Sequence, residues 1–173
     1  MFLRGIRDDS KGEIMRGVYR GLALAIAVLV ALQAAFIAYF ISGLGKWIQK
    51  DGGVLDASVF AEGSTVEVGG EWGIALHAIS GTFVIPLVAL ILVILSFFAK
   101  IPGGTKWALI VFGVVVLQYA LAFFARLGSV PLLSALHGLN ALVLFGVAVT
   151  AAMRVGTAGR AEVRDTATAA PMV

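Results

Sequence analysis

The chain has no cysteine, two histidines and four prolines in 173 residues, and only 13% of it is charged. Each shortage excludes something. Without cysteine there is no disulfide, iron–sulfur cluster, thiolate metal site or covalently attached c-type haem. So little charge leaves too few polar side chains to cover a soluble domain of this length. Histidine is left as the one strong soft-metal ligand, at His77 and His137. The four methionines lie near the ends of apolar runs or in the tails, where they do not compete for that role.

What is present is apolar. Hydrophobic residues make up 60% of the chain, and the mean hydropathy is +1.00. Roughly 20 such residues cross about 30 Å of hydrocarbon at about 1.5 Å per residue. Four segments meet this length, at about 22–44, 72–98, 107–124 and 130–153. They predict an all-α, integral membrane four-helix bundle with up-down-up-down topology, as one transmembrane domain over 1–173. The first run is long for the core of a signal peptide and is read as a retained span. Residues 99–104 and the few around Gly128 and Ser129 are tight turns between antiparallel neighbours. A longer loop, 45–71, carries Asp51, Asp56, Glu62, Glu67 and Glu71, with a Val59-Phe60-Ala61 stretch suited to lying over the bundle mouth. The tail, 154–173, is small and polar and is expected to leave the bilayer.

The net charge of +3 does not point to nucleic acid, because the cations flank the apolar runs instead of lining a face. Arg4, Arg7, Lys11, Arg16, Arg20, Lys100, Lys106, Arg154, Arg160 and Arg164 fall on one side, against Lys46, Lys50 and Arg126 on the other. The positive-inside rule then predicts a multi-pass protein of the cell membrane with both termini cytoplasmic.

An ionisable residue within a span is costly and marks a candidate site. His77 lies about 8 Å and His137 about 10 Å below the outer interface by helical rise. In a four-helix bundle their spans face each other across a diagonal of roughly 11–14 Å. That gap suits one haem b held by both imidazoles, with His77 and His137 as iron ligands. Gly81 and Ala141, each four residues after a histidine, would give a macrocycle clearance. Ser80 and Ser134 are within reach to orient an imidazole. Gln33 and Gln118 are placed to bond the macrocycle edge or a quinone. Arg126, Lys46 and Trp47 stand where propionates would reach. The plainer readings are helix-to-helix hydrogen bonds for the histidines and glutamines, close packing for the small residues, and interfacial anchoring for Arg126.

The segments His77-Ala-Ile-Ser-Gly81 and Leu136-His137-Gly138-Leu139-Asn140-Ala141 resemble one four-helix half of the haem A synthase fold, and small four-span bacterial membrane proteins related to it. The resemblance covers nearly all four spans and implies a haem site. It does not imply the oxygenase activity of that family. Position 74 is Ile and position 78 is Ala, where that family has an acid and an arginine, and the nearest acid is Glu71. The leading expectation is therefore a b-type haem protein with bis-His ligation, passing electrons near the outer face with a quinone, a respiratory complex or a second copy as partner. The alternatives are a haem-processing enzyme that uses Glu71 and a membrane subunit without a cofactor. A transporter is disfavoured, because no acidic residue lies mid-membrane.

Overall fold

A computed structural model describes residues 2–59, 61 and 64–168, with side chains described over 11–156 apart from those gaps. The chain is an all-α, four-helix bundle, and all four helices are long and apolar enough to cross a membrane. Helix α1 is Phe2–Lys50 and α2 runs Glu71–Ser96. Helix α3 is Gly104–Gly128 and α4 is Pro131–Thr168. Each helix packs on two neighbours, so α1 lies opposite α3 and α2 opposite α4. Helix α4 continues well past Arg154, so the segment expected to leave the bilayer is helical as far as Thr168. Phe60 and Glu62, like the side chains of Arg4, Arg7, Arg160 and Arg164, lie outside the described residues.

The close-packed core occupies one half of the bundle. Tyr19, Ala23, Ile26, Ala27 and Val30 of α1 meet Ile85, Ala89 and Leu92 of α2, Ala108, Val111 and Val115 of α3, and Leu144, Ala148, Ala151 and Ala152 of α4. Alanine at so many contact positions lets the helix backbones come close, which is how apolar helices associate in lipid, where tails are as apolar as the side chains. Tyr19 is fully buried, and its hydroxyl donates to the Gly104 carbonyl at 2.9 Å, fastening α1 to the start of α3. The adjoining α2–α3 turn is closed by Lys100 and Gly103 at positive φ and by buried Ala99 and Ile101. Arg154 lies over the Trp107 ring at 5.1 Å, a cation–π contact at the same end.

Beyond Val30 nothing on α1 is buried, and toward the opposite end the other helices bury only Gly73, Ser80, Ala125 and Asn140. Here α1 and α2 touch through backbone. A Cβ on Gly43 would meet the Gly69 carbonyl oxygen at 2.1 Å, and one on Gly73 would meet that of Phe36 at 2.3 Å. The connection 51–70 has no helix or strand among its described residues. Val59 and Val68 tuck under it. The Ser58 hydroxyl and amide donate to Asp56, and these bonds hold its carboxyl below the usual carboxylate range.

Gly73→Ala is expected to destabilise the bundle by about 1–3 kcal/mol, the usual cost of forcing atoms into a closed contact. Gly113→Ala, with nothing within 4 Å of its added carbon, is expected to be neutral or mildly stabilising. Denaturation in detergent, followed by loss of helicity, checks the difference between the two.

Candidate functional site

Two hydrogen-bonded clusters lie just beyond the core, one in each helical hairpin. In the first, Nδ1 of His77 on α2 faces the main-chain carbonyl of Gln33 on α1 at 3.3 Å. The Gln33 side-chain amide donates to the Ser80 hydroxyl, and that hydroxyl donates to the Leu76 carbonyl one turn back. In the second, Nδ1 of His137 on α4 faces the main-chain carbonyl of Gln118 on α3 at 3.1 Å. The Gln118 amide nitrogen reaches Nε2 of His137 at 3.2 Å and its carbonyl at 3.0 Å. Asn140 then donates to Oε1 of Gln118 at 2.7 Å and to the Val114 carbonyl at 3.1 Å.

The clusters are built alike. In each hairpin a glutamine on the first helix accepts a histidine's Nδ1–H through its main chain. Its side-chain amide bonds a polar residue three positions after that histidine, Ser80 or Asn140. A carbonyl can only accept, so both imidazoles carry a proton on Nδ1, and in the neutral ring the lone pair is then on Nε2. The Gln118 amide occupies that lone pair on His137. Nε2 of His77 has no hydrogen-bond partner among the described residues. The two rings meet across the α2–α4 diagonal with centroids 6.3 Å apart and planes at 64°.

A local change in helix α2 sits beside this contact. Residues Ser80–Val84 form a π-helical turn between the α-helical stretches Glu71–Ile79 and Ile85–Ser96. Pro86 has no N–H to offer the carbonyl of Thr82, and the Ser80 hydroxyl occupies that of Leu76. The first interrupts the regular ladder, and the second is added to the Ser80 N–H bond that the Leu76 carbonyl already accepts. Such widened turns are common at functional sites.

The haem reading is corrected by this geometry. Among the described residues no group of three or more His, Cys, Asp or Glu side chains gathers to hold a metal ion. No charged side chain among them is buried. His137 has both ring nitrogens engaged by Gln118, which leaves it no lone pair for iron. The haem b cofactor, the metal-ligand roles of His77 and His137, and electron transfer as a b-type cytochrome are therefore withdrawn, and a haem-processing activity goes with them.

The residues around the histidines also take other positions than expected. Gly81 does not open a slot, since its absent side chain admits the Gln33 amide, whose oxygen would lie 3.3 Å from an added Cβ. Ala141 packs against the core. Gln118 bonds His137 and Asn140. Arg126 and Ser134 line a separate cleft of about 240 Å³ with Ala122, Ala125 and His137. Lys46 pairs with Asp51 at 3.8 Å, and Trp47 would collide with any Cβ on Gly53. Glu71 accepts the Gly69 N–H at 2.7 Å, closing the turn into α2. Asn140 was missed as a site residue. Its signal is the shared spacing of a histidine, a polar residue three on and a small residue four on, in His77/Ser80/Gly81 and His137/Asn140/Ala141.

Fold and site together define a four-span α-helical membrane protein with a paired imidazole–amide network inside it. Comparison with protein-family models, curated proteins and solved structures finds no match. The resemblance to half of the haem A synthase fold rests on the two short motifs alone.

Gln118→Leu strips partners from both His137 and Asn140, and is expected to cost about 1–2 kcal/mol on the scale of intramembrane hydrogen bonds. Gln33→Leu keeps the main-chain acceptor for His77 and is expected to cost about half as much. Unfolding the two variants side by side in detergent checks the order, and a larger loss in Gln33→Leu contradicts the assignment.

Proposed function

We propose that the protein is a membrane-embedded binding module for a lipid-soluble molecule bearing a hydroxyl, of the quinol class. The observation that carries this reading is Nε2 of His77, a neutral imidazole lone pair without a protein partner among the described residues. It lies where the close-packed core has ended. Protein does not bury this atom, and an acceptor left to the hydrocarbon of a membrane without a partner is costly, a cost that a ligand O–H relieves. An apolar tail continues from such a site into the bilayer.

The test is binding of a short-chain quinol to the purified protein, against its O-methylated analogue. The quinol is expected to bind about fivefold to tenfold more tightly, the worth of one hydrogen bond in an apolar site. His77→Leu is expected to erase that difference. Equal binding of the two molecules, or a preference that survives His77→Leu, overturns the reading.

A second reading is a membrane subunit that binds no small molecule and serves a larger respiratory assembly or a second copy of itself. It is favoured by the His137 cluster, in which each ring nitrogen has a protein partner. On this reading His77→Leu changes assembly and leaves quinol binding absent throughout.

We also propose that both termini face the cytoplasm. The support is the gathering of Lys11, Arg16, Arg20, Lys100, Lys106 and Arg154 at the end that holds the α2–α3 turn. The chain has no cysteine, so single replacements report topology directly. In intact cells a membrane-impermeant maleimide is expected to label Ala57→Cys and to spare Glu13→Cys until the membrane is opened.

A further inference from the structure

The cleft between the last turns of α3 and the first turns of α4 is distinct in chemistry from the His77 acceptor, and nothing above gives it a ligand. It holds about 240 Å³ and is lined by Ala122, Ala125, Arg126, Ser134 and His137. Arg126 is exposed and has neither an ion-pair nor a hydrogen-bond partner among the described residues. Lys46, at the same end of the bundle, has Asp51 at 3.8 Å. Helix α3 contains no acidic residue, and α4 has none before Glu162. No carboxylate of α3 or among the described side chains of α4 therefore offsets the Arg126 charge at this cleft.

Other features bear on what the cleft could hold. The first turn of α4 has no acid, so its amide dipoles face the cleft with no carboxylate to cancel them, and the carbonyl end of α3 opposes them in part. Ser134 makes no side-chain hydrogen bond to a described residue, which leaves its hydroxyl available as a donor. Both nitrogens of His137 are engaged by Gln118, so the imidazole is a wall of this cleft and not a competing base. Leu127, next to Arg126 in the chain, is 68% exposed and Leu132, two residues before Ser134, is 66% exposed, which offers apolar surface to acyl chains. A free anion would have no use for those leucines.

We propose that this cleft seats the phosphate-bearing head group of an anionic membrane phospholipid, with Arg126 and Ser134 on the phosphate oxygens and the acyl chains along Leu127 and Leu132. Guanidinium is suited to this because its planar donors match phosphate oxygens two at a time. The site does not depend on the quinol reading, since no group of the His77 cluster touches it.

The experiment measures retention of phosphatidylglycerol against phosphatidylcholine on the purified full chain by native mass spectrometry in detergent. A preference of about fivefold for the anionic lipid is expected from one guanidinium at an anionic surface. Arg126→Gln is expected to abolish it and Arg126→Lys to keep part of it, while Lys46→Gln leaves it unchanged. Equal retention of the two lipids, or wild-type preference in Arg126→Gln, overturns the proposal. So does displacement of the lipid by millimolar inorganic phosphate, which would mark an anion site with no interest in the lipid. Should Arg126→Gln not be recovered from the membrane, Ser134→Ala keeps every charge. A preference untouched by loss of the hydroxyl then overturns the assignment.

Discussion

The hydrogen bond from a histidine's Nδ1 to a glutamine's main-chain carbonyl sets the terms for everything at the open end of this bundle. In lipid no water is at hand, so a polar group in a span either finds a protein partner or carries a penalty. Main-chain carbonyls in a helix already accept one bond and can accept another through the second lone pair. Both hairpins use that spare capacity, at Gln33 and at Gln118. The consequence is chemical as well as structural. A proton committed to Nδ1 makes each ring a neutral acceptor at Nε2, and the fate of that one lone pair decides what each histidine does.

The surroundings set the two fates apart. Packing is dense where alanines let four helices converge, from Tyr19 to Val30 on α1 and along the facing stretches of the others. Past that level each hairpin remains closed within itself, the first through the glycines at 43, 69 and 73, the second through Gln118 and Asn140. Across the α2–α4 diagonal the two imidazoles meet at their edges. The packed half supplies rigidity, and the polar half is left able to receive something. The π-helical turn after His77 lies on the hairpin whose imidazole is unsaturated, where the ladder is already interrupted by Pro86.

The bundle was legible in the sequence because its cause is local and summed over many residues. Twenty apolar residues in a row have few alternatives to a membrane helix, and the glycine turns at 103 and 128 left little freedom in connection. That His77 and His137 share one level of the bundle was equally legible, since helical rise alone gives it. Their chemistry was not. Whether an imidazole lone pair is open to a metal or taken by an amide depends on where a Gln side chain turns, and spacing does not encode that. Gly81 shows the limit well. A small residue four after a histidine was compatible with a flat macrocycle, but the space it leaves is filled by the Gln33 amide from the neighbouring helix. The continuation of α4 beyond Arg154 was hidden for another reason, because hydropathy reports where a helix meets lipid and not where it stops.

The near-repeat of the two hairpins makes their differences informative. Ser80 and Asn140 hold equivalent positions, yet a serine hydroxyl can satisfy itself on its own helix and an asparagine amide reaches out to the neighbouring one. With Asn140 as donor to its oxygen, Gln118 turns its nitrogen toward His137 and fills the last lone pair. Ser80 instead accepts from the Gln33 nitrogen, which draws that donor away from His77 and leaves Nε2 without a partner among the described residues. One residue, three positions after each histidine, thus decides which imidazole is structural and which is receptive. Two hairpins of similar design can share a bundle and differ in chemistry, one with its imidazole saturated by its own glutamine and one with an acceptor left open among the described residues.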